Sequence, residues 1–162
     1  MTDAVKPIPE GYSTVTPYLI IKGAAEAIEF YKNAFGAQEL FTMPMPDGKV
    51  GHAEIQIGDS KIMLAEEMEE MGHRSPQSLN GCPVGFVVYV ENVDTEFQRA
   101  IDAGVTLVRP LENKFYGDRM GSVRDPFGYE WSLGTHIEDV APEEMVKRAD
   151  EEHAKMAAAQ AS

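Results

Sequence analysis

The stretch Val123–Leu133, VRDPFGYEWSL, decides how the chain is read. It is a strand, a tight turn and a second strand. Asp125, Pro126 and Gly128 carry turn chemistry, because proline fixes φ and glycine accepts positive φ. In the second strand Tyr129, Trp131 and Leu133 alternate with Glu130 and Ser132. A period of two means two faces. Trp131 and Leu133 belong against a core, so Glu130 and Ser132 look the other way, into either bulk water or a pocket.

An earlier hairpin has the same pattern. In VGHAEIQIGDSKIMLAEE (Val50–Glu67), Ala53, Ile55 and Ile57 alternate with His52, Glu54 and Gln56, and Gly58-Asp59 makes the turn. An offset of 69 residues places Ile62 on Trp131, Leu64 on Leu133 and Ile28 on Phe97. Working outward, TVTPYLIIKG (Thr14–Gly23) reads as a strand ended by glycine. AAEAIEFYKNAFG follows as an amphipathic helix, with Gly36 as its stop, and AQELFTM as a strand. After a polar, turn-rich stretch the order returns: VGFVVYVEN a strand, VDTEFQRAIDAG a helix stopped by Gly104, VTLVRPL a strand, then the second hairpin. Two copies of βαβββ in register predict an α+β protein. The expected organisation is an N-terminal extension over 1–13, a first module over 14–67, a linker over 68–83, a second module over 84–137 and a C-terminal helical tail over 138–162.

Composition excludes some classes of partner. The 162 residues include 27 acidic and 14 basic side chains, for a formal net charge of −13. Nucleic acid and anionic membrane surfaces both require a basic footprint, so neither is expected as a partner. No apolar run approaches the length of a membrane span. Cys82 is the only cysteine, which suits a reducing cytoplasm, and the N-terminal MTDAVKPIPEGY has no signal-peptide pattern. A cytoplasmic location is the expectation.

Four stretches now carry a family resemblance: VTPYLIIKGAAEAIEFYKNAFGA, DGKVGHAEIQIGDSKIMLAEE, FYGDRMGSVRDPFGYEWSL and THIEDVAPEEM. Together they resemble the vicinal oxygen chelate superfamily of glyoxalase I, bleomycin-resistance proteins, fosfomycin-resistance enzymes and extradiol dioxygenases. The closest likeness is to its PhnB-like branch. The resemblance implies a curved mixed sheet from each module around a cavity, helices outside, and pairing of two chains as a homodimer. It also implies that the strand faces turned from the helices line a small-molecule site. On that basis Ser132 looks into a pocket.

In metal-dependent members each of four strands supplies one ligand, usually His, Gln or Glu. The corresponding positions here are Thr16, Met63, Gly85 and Ser132, which are weak, soft or absent as donors to a hard ion. No metal and no other cofactor is therefore expected. Nor is there a glycine-rich loop of the kind that holds a nucleoside cofactor. The expected ligand-binding residues are Tyr18, His52, Glu54, Gln56, Tyr89, Tyr116, Arg119 and Ser132. Allowing two extra residues in the DPFG turn places Arg119 opposite His52. Two functions compete. One is metal-independent capture of a small molecule in the inter-sheet cavity. The other is a lyase, isomerase or dioxygenase-type enzyme built around His52, Glu54 and Arg119, with His52 as general base.

Overall fold

The computed structural model describes residues 5–160. Residues 1–4 of the expected extension and 161–162 of the expected tail lie outside the described residues. The first βαβββ unit is β1 (Tyr18–Ile21), α1 (Ala24–Phe35), β2 (Gln38–Pro44), β3 (Val50–Ile57) and β4 (Ser60–Glu66). The connecting segment folds into a 3₁₀ turn (Glu69–Met71) and the short α2 (Pro76–Leu79). The second unit is β5 (Gly85–Tyr89), α3 (Val93–Ala103), β6 (Thr106–Asn113), β7 (Asp118–Arg124) and β8 (Glu130–His136), followed by α4 (Pro142–Gln160). Each unit forms a four-stranded mixed sheet, ordered β1-β4-β3-β2 and β5-β8-β7-β6. This is the expected α+β architecture. No helix among the described residues is long and apolar enough to cross a membrane.

The alternation in sequence becomes a two-faced sheet. Ala53, Ile55, Ile57, Ile62 and Leu64 are buried on one side of the first sheet, and Val123, Trp131 and Leu133 on one side of the second. Both faces enter one continuous core with α1 and α3. The two helices touch, with Arg99 Nε donating to the Asn33 carbonyl at 3.0 Å. Their outer sides, with Glu26, Glu29, Gln98 and Asp102, are exposed. Trp131 is the hub of the core. Its ring centroid lies 4.6 Å from Phe86, 4.7 Å from Phe35 and 5.4 Å from Tyr31. Burying such a ring removes more apolar area from water than any aliphatic side chain and dominates the local energetics.

The DPFG turn ties the units together. The Asp125 carboxylate is buried and accepts from the Tyr31 hydroxyl and Trp131 Nε1, each at 2.8 Å. It also accepts from the backbone N–H groups of Phe127 and Tyr129, at 2.9 and 3.0 Å. Burial pushes its pKa up, against the opposing pull of these donors. Gly128, at φ 99, lies against α2, where an added Cβ would meet Pro76 Cβ at 2.7 Å. The connecting segment is thus packed on the turn, and Gln77 donates to the Pro126 carbonyl at 2.9 Å.

Candidate functional site

With one face of each sheet in the shared core, the other faces look away from it. On the first sheet this face carries Tyr18, Met63, Lys61, His52, Glu54 and Gln56, as alternation requires. Tyr18 Oη and His52 Nδ1 are 2.9 Å apart, and His52 Nε2 lies 3.4 Å from Glu54 Oε1. This chain fits a tautomer that donates from Nε2 to Glu54 and accepts from Tyr18. The Tyr12 hydroxyl, from the N-terminal arm, donates to Glu54 Oε2. That bond holds the Glu54 carboxyl below its ordinary pKa, helped by His52 and Lys61, and pushes the Tyr12 phenol up to about 12. Burial raises Tyr18 as well. Gln56 turns aside and donates to the Gly58 carbonyl at 2.9 Å.

On the second sheet the corresponding face carries Val87 and Tyr89 from β5, Asp118, Met120 and Ser122 from β7, and Glu130, Ser132 and His136 from β8. Ser122 pairs directly with Ser132, and their hydroxyl oxygens are 2.8 Å apart. Above them lies a cavity of about 570 Å³ lined by Tyr116, Met120, Ser122 and Ser132, with His153 and Met156 of α4 on its far side. Arg109 and Lys114 at its rim pair with Glu130 and Glu112. Beside the cavity, the buried Asp118 accepts from Tyr89 Oη at 2.6 Å and lies 2.8 Å from His136 Nδ1. His136 Nε2 meets Asp139 at 3.0 Å. The bond to Asp118 raises the pKa of Tyr89, and the bonds to Asp118 and Asp139 raise that of His136. A further cavity of about 600 Å³ lies between the units, lined by Thr16, Phe35, Ile62, Tyr89 and Trp131 among others.

The expected site residues are therefore divided. Tyr18, His52 and Glu54 are brought together on the first sheet, while Tyr116 and Ser132 share the cavity over the second. Tyr89 lines the cavity between the units, and His52 and Glu54 line neither cavity.

Arg119 is a correction. It is paired in register with Thr135, on the helix side of the second sheet, and forms a bidentate ion pair with Asp94 of α3 at 2.7 and 3.0 Å. The reason is the length of the turn. Gly58 and Asp59 are the residues between the paired Ile57 and Ser60. Pro126, Phe127 and Gly128 are those between Asp125 and Tyr129, whose backbones bond across the turn. The insertion is thus one residue, not two, and an error of one moves a side chain to the opposite face. Met120, not Arg119, stands where His52 stands in the first unit.

The four positions that hold metal in other members do not fit one here. Thr16 lines the cavity between the units, Met63 lies beside Tyr18, and Gly85 and Ser132 sit on the second sheet. Thioether, hydroxyl and hydrogen make no donor set for a hard divalent ion. Among the described residues no group of three or more His, Cys, Asp or Glu is placed to hold a metal.

Sequence reasoning missed Tyr12, Asp118, Ser122, His136 and His153 as members of these faces. A correct count of the DPFG turn would have found Asp118 and Ser122. No signal in the sequence placed His153 at a cavity.

Two βαβββ units, each with an open strand face opposite its helix, define a protein of the vicinal oxygen chelate type. Residues 14–133 match the model of the Glyoxalase/Bleomycin resistance protein/Dioxygenase superfamily, and the chain belongs to that superfamily. The uncharacterized protein Rv0887c of Mycobacterium tuberculosis is 45% identical over 134 residues, covering 81% of this chain and 79% of its own length. TioX from Micromonospora sp. ML1 superposes with a TM-score of 0.62 at 28% identity, over 77% of this chain and 99% of TioX. The PhnB protein from Bacillus cereus, described as a putative 3-demethylubiquinone-9 3-methyltransferase, shares the fold with a TM-score of 0.60 at 18% identity, over 76% and 99% of the two chains.

Proposed function

We propose that the protein binds a small organic molecule in the cavity between the second sheet and α4, and captures it without transforming it. The observation that carries this reading is the floor of that cavity. Its two serine hydroxyls are bonded to each other, beneath walls of Tyr116, Met120 and Met156. Aromatic and thioether walls combined with fixed polar groups are the usual lining of a small-molecule site. The charged groups at the rim are already paired, which favours a ligand with little net charge. The enzyme alternative required His52, Glu54 and Arg119 in one cavity, and Arg119 is held by Asp94 on the far side of its sheet.

A homodimer is part of the proposal. Tyr18, Phe41 and Met43 on the first sheet are 49–51% exposed, and Val87 and Tyr89 on the second are 60% and 61% exposed. Apolar faces of this kind are rarely left open to water. A cytoplasmic location is also proposed, from the lone cysteine and the acidic surface.

Native mass spectrometry and thermal shift against a panel of aromatic compounds, bleomycin included, test the binding. A true ligand at about 100 times its Kd stabilises by about 2.7 kcal/mol. That shift should vanish in Ser132→Phe, which fills the cavity floor, while circular dichroism stays unchanged. A ligand that still binds Ser132→Phe, or a panel with no binder, would defeat the reading. Sedimentation giving only a monomer near 17.9 kDa would remove the dimer.

A further inference from the structure

The N-terminal arm presents an aromatic residue to the first sheet. Tyr12 N donates to the Pro9 carbonyl at 3.2 Å, closing a turn over Pro9-Glu10-Gly11-Tyr12. Gly11 has φ 75, the value typical of the third residue of a type II turn. A Cβ added there would lie 3.1 Å from Lys61 Nζ, so the turn is fitted closely against the sheet. The turn delivers the Tyr12 ring to groups on two neighbouring strands. Its hydroxyl donates to Glu54, and the Lys61 ammonium stands 4.0 Å from its ring centroid. Glu54 is backed by His52, which in turn meets Tyr18 and has the Phe41 ring at 6.4 Å.

Each part of a phenol thus has a counterpart here. A carboxylate accepts the hydrogen bond of the hydroxyl, and a cation lies over the π face. The contact adds nothing to the core, since the arm from residue 5 to residue 11 is exposed and Tyr12 only half-buried. The recognising groups stand on paired strands, whereas the occupant stands on an arm outside both sheets. We propose that this face is a binding subsite for a phenol-type ring of a free ligand, and that Tyr12 fills it in cis as a displaceable occupant. The subsite lies on the first sheet, apart from the cavity over the second, so it stands or fails independently of the function proposed above. A tethered ring competes at an effective concentration in the millimolar range, which lowers the apparent affinity for a free phenol.

The test uses the full-length chain, the Tyr12→Ala variant and p-cresol as probe, with toluene as the ring lacking the hydroxyl. Binding is followed by amide chemical shifts of His52, Glu54 and Lys61. The variant should keep its circular dichroism spectrum and bind p-cresol about tenfold tighter than the wild type, because the internal competitor is gone. Toluene should bind at least about tenfold more weakly than p-cresol, because it leaves the carboxylate unserved. Adding Glu54→Leu should abolish p-cresol binding. Should that double variant misfold, Tyr12→Ala with Lys61→Met is read instead, with binding about threefold weaker. The proposal is overturned if Tyr12→Ala shows no saturable p-cresol binding, if toluene binds as well, or if the second substitution leaves affinity unchanged.

Discussion

The two βαβββ units share a strand order and differ on the face each turns from the core. On the first sheet that face is a chain of polar contacts, Tyr12–Glu54–His52–Tyr18, on long side chains. On the second it is a pair of small hydroxyls beneath a helix, flanked by a buried carboxylate. The helix-side faces, by contrast, are interchangeable in kind: Ile62 and Leu64 in one, Trp131 and Leu133 in the other. Packing against a helix restricts a position to apolar residues of fitting volume. The opposite face escapes that restriction and is free to take up different chemistry.

The sharpest way to break the comparison is at the turns. Asp125 has four donors in a buried site, while Asp59 in the first unit's turn accepts from the exposed Ser60 hydroxyl. Asp125→Ala strands the Tyr31 hydroxyl and Trp131 Nε1 along with two backbone N–H groups, at a cost of about 3–5 kcal/mol. Asp59→Ala should cost less than about 0.5 kcal/mol. Urea unfolding followed by Trp131 fluorescence measures both. Equal costs would mean that the DPFG turn is only a connector.

That turn is also where the sequence was hardest to read. Strand and helix existence followed from period and punctuation, and β3 was placed on the correct face because Ala53, Ile55 and Ile57 leave no choice. Strand β7 offered no such constraint. RMGSVR has apolar or small residues on both faces, so its parity depended on counting a turn whose length periodicity does not reveal. The pairing of Arg119 with Asp94 was invisible for the same reason. Tyr12 and His153 reach their faces through tertiary docking of terminal segments, which leaves no periodic trace.

A smaller difference should appear at the helix starts, where the units solve one problem with different groups. The Glu66 carboxylate accepts from the N–H groups of Gly23 and Ala24, at 3.0 and 2.8 Å, at the start of α1. Its counterpart at the offset of 69 is Thr135, whose hydroxyl accepts from Val93 N at 2.9 Å at the start of α3. Removing an N-terminal acceptor costs about 0.5–2 kcal/mol. Glu66→Ala should fall at the upper end, since a charge facing two N–H groups also loses its interaction with the helix dipole. Thr135→Ala should fall lower. Paired urea midpoints give the order, and the reverse order would show that charge is not what separates them.

Carboxylates in the two units should also respond to acid with opposite signs. Glu67 accepts from the Ser75 N–H and from the Ser78 hydroxyl, and these bonds, with the nearby Ser75 hydroxyl, lower its pKa to about 2. A depressed value stabilises the fold above the unfolded value of about 4.3 and is lost as pH falls toward about 2. Solvent screening reduces the effect to about 1 kcal/mol. Asp125 is raised instead by burial, so its contribution declines as pH rises through that raised value. The difference in unfolding free energy between wild type and Glu67→Gln, from urea titrations at pH 2 to pH 6, should grow with pH and then level off at about 1 kcal/mol. A difference independent of pH would remove Glu67 as its source.

The smallest effect is confined to one histidine. His136 is raised above 6.5 first by the bond to Asp118 and then by that to Asp139. A raised histidine stabilises the fold fully below its unfolded value, and that contribution is lost as pH rises through the folded one. Its imidazole is largely solvent-exposed, so the signature belongs in a titration rather than in a melting curve. The His136 ring protons should titrate above 6.5 in the wild type and move down toward 6.5 in Asp118→Asn, because a neutral amide no longer favours the imidazolium. Tyr89→Phe serves as the control. It removes the other bond to Asp118 while leaving the carboxylate charged, so His136 should stay raised. If Asp118→Asn leaves the titration where it was, the exposed Asp139 is the partner that matters, and the buried carboxylate of the second face serves Tyr89 alone.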